Sequence, residues 1–260
     1  MRAKEVASSQ NPWFKEVKSL IEKNRFRKKQ GRFTVEGLKE IELALKAGFE
    51  LSSIAYVNGQ SNVNILDIPD NAESVLLTEA LMCELCVRGA VNNALGVFVV
   101  KEVAFTSEKI KSIIIVEKVE KPGNLGALIR TAEAAGIGEI WLCDAHVDPF
   151  HPQVIRNSLG TVFHVPIRSF TFDECKAQIQ EWGVQVFTTF MDDAIPMYEA
   201  DFTQPIAIVL GTEHEGVTDR WRELGVNVQI PMHGAIDSLN VSVAGAVLMY
   251  EVVRQRRIKN

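Results

Sequence analysis

The 260-residue sequence contains no stretch approaching the roughly 18 consecutive apolar residues that a membrane-spanning helix requires. Its opening, MRAKEVASSQNPWFKEV, lacks the apolar block of a secretory signal. These absences argue against a membrane partner and lead us to expect a cytoplasmic protein. Cysteine is scarce: Cys83, Cys86, Cys143 and Cys175 are too few for a disulfide scaffold, which fits a reducing compartment. Cys83-x-x-Cys86 has no second Cys/His pair at zinc-finger spacing, so the two read as packed free thiols and no metal is expected. No internal repeat or low-complexity tract is present. With 47% hydrophobic and 23% charged residues, the chain is instead long and apolar enough for one large globular domain or two modest ones.

The net charge of -5 is unevenly spread. Residues 1–32 hold ten lysines and arginines against three acids, a net +7, so the remainder carries -12. Such asymmetry suits either contact with a polyanion or a solvated basic helix face. Within this region Trp13, Phe14, Val17, Leu20 and Ile21 recur at helical spacing and lead into the basic run Arg25-Phe26-Arg27-Lys28-Lys29, broken at Gly31. Phe33 and Val35 alternate as in a short strand, and a helix ended by Gly48 follows. Strands at Ile54–Val57, Val75–Leu77 and Leu95–Val100, with a helix opening at Thr78, complete a small α/β/α layered domain over residues 1–101. A composition shift around KEVAFTSE marks a linker at 102–109, leaving 110–260 as the second domain.

In that second domain Ile113–Val116, Ile140–Cys143, Val184–Thr188, Ile206–Leu210 and Val228–Ile230 are short, nearly all-apolar runs. Strands buried on both faces have this character, so a mostly parallel sheet with helices on both sides is expected. Three of the runs end in glycine-containing turns. The first passes through Lys121-Pro122-Gly123-Asn124-Leu125-Gly126 into a helix predicted over Ala127–Ala135, with Arg130 in its first turn. This turn matches neither the dinucleotide nor the P-loop fingerprint. An arginine there opposes the helix dipole, which suits a functional role, although a surface salt bridge explains it equally. The second turn is Gly211-Thr212-Glu213-His214-Glu215-Gly216. The third runs from Ile230-Pro231-Met232 through Ser238-Leu239-Asn240 into a helix reaching about Arg254, and helix capping accounts for Ser238 or Asn240 but not both.

Taken in order, the segments Asn124–Ala132, Leu210–Gly216 and Ile230–Ala244 resemble the three motifs of the SpoU (TrmH-like) RNA 2'-O-ribose methyltransferases, across most of residues 110–257. The N-terminal region, through Phe33-Thr34-Val35-Glu36-Gly37, is similar to the substrate-binding domain that many members carry, whose fold is like that of ribosomal protein L30e. The resemblance implies an α/β protein of the SPOUT class: an L30e-like domain, then a mostly parallel sheet with a deep C-terminal trefoil knot. It implies S-adenosylmethionine as cofactor, held by Leu210, Gly211, Ile230, Met232, Ser238 and Leu239. It also implies a homodimer with the active site near the subunit interface.

By the same resemblance Arg130 is the catalytic arginine, supported by Asn124, Glu213, Ser238 and Asn240. A guanidinium stays protonated and is a very poor base, so its expected role is to hold the target phosphate or the developing 2'-alkoxide. His214 and His233 read as loop histidines. Lys28, Lys29 and Arg32, with Arg25 and Arg27 behind them, are candidates for RNA backbone contacts. Phe26 is either a base-stacking residue or part of the core, and the basic run Arg254–Lys259 either ends the last helix or touches phosphate. The implied reaction is 2'-O-methylation of RNA, with ribosomal (23S) RNA as substrate. The alternatives are a transfer-RNA methyltransferase and a catalytically silent RNA-binding or ribosome-assembly factor.

Overall fold

A computed structural model describes residues 3–59, 63, 66–86, 94–101, 112–212 and 215–259. The expected linker at 102–109 lies outside the described residues. The chain divides into two compact units, Met1–Glu102 with Phe150–Phe163, and Val103–Pro149 with His164–Asn260. No helix among the described residues is long and apolar enough to cross a membrane.

The first unit starts with β1 (Lys4–Val6), α1 (Pro12–Glu22) and α2 (Asn24–Gln30). Asn11 caps α1, its Oδ1 accepting from Trp13 N at 2.9 Å, and Pro12 occupies the first helical position, where a missing N–H costs nothing. The apolar spacing read from the sequence is the buried face of this helix: Trp13, Phe14, Val17 and Leu20. The basic run is itself helical, and Gly31, with φ 60°, closes α2 in the left-handed conformation. Then follow β2 (Arg32–Glu36), α3 (Leu38–Lys46), β3 (Leu51–Tyr56), β4 (Glu73–Leu77), α4 (Glu79–Leu85) and β5 (Ala94–Val99). Their sheet has the order β1-β4-β3-β5-β2, with β2 and β3 antiparallel to β5 and the other pairs parallel. Phe26 packs against the core that contains Trp13, Phe14 and Leu20, which settles it as a core residue.

The second unit is built from β6 (Ser112–Glu117), α5 (Pro122–Ala135) and β7 (Glu139–Cys143). The chain next forms α6 (Pro152–Asn157), then β8 (Ile167–Phe170), α7 (Phe172–Trp182), β9 (Gln185–Thr188), β10 (Ile195–Pro196), β11 (Ile206–Leu210), β12 (Val226–Gln229) and α8 (Val241–Lys259). Seven strands lie in the order β10-β12-β9-β11-β6-β7-β8 and every pair is parallel. The five apolar runs found in the sequence are all strands, within one or two residues at their ends. The short strands β8 and β10 complete the sheet's edges; each has exposed positions and so lacks the apolar run that marks the others. The two faces are covered separately. Ile113, Ile115 and Val209 pack with Cys175 and Ile179 of α7. On the other face Gly245 of α8 comes so near Leu128 of α5 and Leu210 that an added Cβ would lie 2.4 and 3.0 Å from their methyl carbons.

The helix α6 and the turn at Thr161–Phe163 belong to the first unit, although their place in the sequence puts them inside the 110–260 segment. Aromatic stacking explains this. Phe150 lies against Phe33 with ring centroids 4.3 Å apart, and Phe163 meets Phe49 edge-on at 5.3 Å.

Candidate methyl-transfer site

The site is assembled from three loops at the carboxyl ends of the parallel strands, where open α/β sheets leave room for ligands. The loop after β11 folds back at once: Thr212 and Gly216 exchange two backbone hydrogen bonds of 3.1 Å. Gly211 makes this possible, because a Cβ there would sit 2.0 Å from the Gly216 carbonyl carbon and 2.2 Å from Val217 N. The loop after β9 is fixed from below. Thr189 Oγ1 donates to Val209 O at 2.9 Å and Phe190 N donates to Asn227 Oδ1 at 2.8 Å. Arg222 lies 4.3 Å over the Phe190 ring and pairs with Asp192 at 3.0 Å, holding that carboxyl below the usual carboxylate range. The third loop spans Ile230 to Asn240 and delivers the chain into α8.

These loops enclose a cavity of about 890 Å³. All six residues proposed from the sequence for cofactor contact line it: Leu210, Gly211, Ile230, Met232, Ser238 and Leu239. The sequence had not singled out the wall contributed by Thr189, Phe190 and Met191. Its signal was slight, since the loop follows an ordinary strand and carries no glycine. Met191 and Ile236, both lining the cavity, are 64% and 65% exposed, so its mouth is apolar yet open.

Asn240 has two bonds in different directions. Its Oδ1 accepts from Ser242 N at 2.9 Å and Ser242 Oγ at 2.7 Å, capping the first turn of α8, while its Nδ2 donates to Asn124 Oδ1 at 3.3 Å. Capping therefore explains part of Asn240, and Ser238 lines the cavity instead. Asn124 itself is not in a turn. The helix α5 begins at Pro122, five residues before the expected start, because proline suits a first helical position and Gly123 and Gly126 are accommodated within the helix. Arg130 is consequently in the third turn, and the argument from the helix dipole no longer applies to it. Its side chain is exposed. Six residues along a helix place it about 9 Å from Asn124 and roughly 120° around the axis, so the two do not share a face. Glu213 and His214 lie outside the described residues.

In the first unit the basic candidates separate. Arg25, Lys28 and Lys29 are exposed on α2. Arg32 pairs with Glu16. Arg27 is only 2% exposed and donates through Nη1 to Leu20 O at 2.8 Å and Ile21 O at 3.1 Å, satisfying carbonyls at the end of α1. It is a structural residue and leaves the phosphate-contact set, because a buried side chain offers no surface to RNA.

The parallel α/β sheet and the loops at its carboxyl edge define a methyltransferase architecture that comparison with known proteins identifies directly. The chain belongs to the SpoU rRNA Methylase family, whose model matches residues 111–250, and residues 11–96 match the MRM3-like substrate binding domain. It is 28% identical over 250 residues to the 23S rRNA (guanosine(2553)-2'-O)-methyltransferase RlmP of Bacillus subtilis, covering 96% of this chain and 99% of that protein. Among solved structures, an RNA 2'-O ribose methyltransferase superposes with a TM-score of 0.84 at 35% identity, covering 97% of this chain and 99% of that one. The AdoMet-bound rRNA methyltransferase from Sinorhizobium meliloti superposes with a TM-score of 0.85 at 27% identity, covering 97% and 98%.

Proposed function

We propose that the protein is an S-adenosylmethionine-dependent RNA methyltransferase that modifies a ribose 2'-hydroxyl in ribosomal (23S) RNA. One observation carries the reading: a single cavity gathers six residues from the second and third motif loops, and Asn240, which lies between the lining residues Leu239 and Val241, is hydrogen-bonded to Asn124 of the first. The cavity suits the cofactor in size, since pockets for ligands of that class span about 300–1,000 Å³. Its apolar lining can take an adenosine, and the Glu215 and Asp237 carboxylates on its wall suit a cationic ligand.

When bound, S-adenosylmethionine supplies a methyl group on a positively charged sulfur, already an excellent leaving group. The protein's task is then to position the ribose hydroxyl in line with the sulfur–methyl bond, so that the oxygen–methyl bond forms as that bond breaks, and to let the hydroxyl proton pass to solvent water. Ser238 and Asn240 offer donor and acceptor groups to the ribose, and Asn124 fixes the orientation of the Asn240 amide. Arg130 stabilises the negative charge on the target phosphate or the 2'-oxygen without accepting the proton. Because Arg130 faces away from Asn124 on α5, a second subunit gives the simplest route to a complete site: in a homodimer, Arg130 of the partner subunit approaches this cavity. The N-terminal part of the chain, residues 1–101, would hold the RNA, with Arg25, Lys28 and Lys29 contacting phosphates, and the cytoplasm is where such a substrate lies.

The test is to incubate the protein with radiolabelled S-adenosylmethionine and separate ribosomal and transfer RNA pools from cells lacking the gene, then digest to nucleosides. Label in a 2'-O-methyl nucleoside from the ribosomal pool is the expected result. Label from transfer RNA alone would move the substrate. Absence of label from both pools and from precursor ribosomal particles, with cofactor binding intact, would favour a silent RNA-binding protein.

A further inference from the structure

We propose that Glu117 is a positioning residue for this site: a buried carboxylate that latches the loop after β11 to the end of β6 and so fixes one wall of the cofactor cavity. The proposal rests on the cofactor reading given above.

Glu117 is the last residue of β6 and is 1% exposed. A carboxylate is buried at such cost only when its oxygens are fully engaged. Here Thr218 N donates to Oε2 at 2.8 Å, Thr218 Oγ1 donates to Oε1 at 2.6 Å, and Arg220 Nη2 donates to Oε1 at 2.9 Å. Arg220 also reaches Asp144 Oδ2 at 2.7 Å and lies 4.4 Å over the Phe172 ring, so its guanidinium is clamped on three sides. The residues just beyond β6 and β7, Lys118 and Asp144, both adopt left-handed backbone, with φ of 50° and 47°. Non-glycine residues take that conformation at a cost and keep it only where surrounding contacts enforce it.

The location gives the latch its consequence. In the sheet, β11 and β6 are neighbours, and the chain runs from β6 toward β7 on one side while it enters β11 after β9 and β10 on the other. At such a switch the connections diverge and leave a crevice at the strand ends. The Glu117 carboxylate bridges that divergence. On one side it holds Thr218, which ends the loop whose Gly211, Thr212, Glu215 and Gly216 line the cavity. On the other side four residues lead from Glu117 to Pro122, where α5 begins and brings Asn124 to Asn240. One side chain therefore sets both the cofactor wall and the origin of the helix that carries the first motif. Charge-assisted bonds in such a place are stronger than neutral ones, and glutamine cannot reproduce them, because its amide would turn a donor toward donors.

The experiment measures S-adenosylhomocysteine binding by calorimetry and amide hydrogen exchange at residues 215–218, in the wild-type protein and in Glu117→Gln, Thr218→Val and Thr218→Ser. The latch predicts that Glu117→Gln weakens binding about tenfold or more, that Thr218→Val weakens it about threefold, and that Thr218→Ser, which keeps the hydroxyl, stays within about twofold. Exchange at 215–218 should accelerate in the first two variants alone. If Glu117→Gln does not fold, the contrast between Thr218→Val and Thr218→Ser carries the test. Unchanged affinity and unchanged exchange in a folded Glu117→Gln overturn the latch while leaving the cofactor reading intact. Failure of the wild-type protein to bind S-adenosylhomocysteine overturns the cofactor reading itself, and the exchange contrast still shows whether Glu117 secures the loop.

Discussion

The Asn240 amide spans two helices: its oxygen caps the first turn of α8 and its nitrogen, 3.3 Å from Asn124 Oδ1, reaches α5. The two roles can be separated. Serine is an equally good cap but too short to reach Asn124, so Asn240→Ser should leave stability within about 0.5 kcal/mol of wild type, whereas Asn240→Ala should cost about 1 kcal/mol. Both should lower methyl transfer at least about tenfold if the amide orients the ribose. Denaturant unfolding and single-turnover kinetics on the same preparations decide it; full activity in the serine variant would reduce Asn240 to a cap.

Arg130 makes a sharper case because its side chain is exposed on α5 and supports no buried contact among the described residues. Replacing it with alanine should therefore leave thermal stability unchanged, with surface substitutions usually falling within about 0.5 kcal/mol. S-adenosylhomocysteine affinity should stay within a few-fold and methyl transfer should be lost. Mixing Arg130→Ala with a protein inactivated at Asn240 tests the dimer at the same time. If each site draws its arginine from the partner subunit, heterodimers regain one working site and activity returns. No recovery on mixing, with subunit exchange demonstrated, would place the arginine and the cavity in the same chain or remove Arg130 from the reaction.

What the sequence displayed well were elements whose environment is uniform. The runs at Ile113–Val116 and Ile206–Leu210 are buried on both faces, so no alternation obscures them. Six of the cavity residues were legible because they lie in the second and third of three ordered motifs, whereas the Thr189–Met191 wall lies in none. Less legible was anything decided by a distant partner. The glycines at 123 and 126 read as a turn because glycine is a poor helix former, and they outweighed the local signal of Pro122, which starts a helix through them. Arg27 carries the same charge as Arg25, and only the end of α1, seven residues back, determines that one is buried and the other exposed. The place of Phe150 and Phe163 follows from Phe33 and Phe49, more than 100 residues earlier, a relation that no short-range pattern encodes.

That division among the basic residues predicts opposite phenotypes for neighbours. Reversing Arg25, Lys28 and Lys29 to glutamate should weaken RNA binding and flatten its dependence on salt, each lost phosphate contact reducing the logarithmic slope by roughly 0.7–0.9. Unfolding midpoints should hardly change. Arg27→Ala should instead leave the salt slope alone and destabilise the fold by about 1–3 kcal/mol, since the carbonyls of Leu20 and Ile21 lose a buried donor. Binding isotherms at several salt concentrations, paired with denaturant melts, separate the two classes. An unchanged slope in the triple reversal would remove α2 from the RNA interface.

Cys86 links the first unit's core to pH. It is 6% exposed among Leu81, Met82 and Leu85, and burial first, then the nearby Glu36 and Cys83, pushes its thiol from 9.0 up to about 12. The folded state thus keeps the proton where the unfolded chain releases it. A group raised in this way contributes its full stability below its unfolded value and loses it progressively as pH climbs from about 9 toward about 12. Wild-type protein should therefore become easier to unfold in denaturant above pH 9, and Cys86→Ala should show a shallower decline. The other buried thiols remain in both proteins, so the difference between the two slopes isolates Cys86. Parallel slopes from pH 8 to pH 11 would mean that the thiolate is accommodated in the folded core, contrary to its burial.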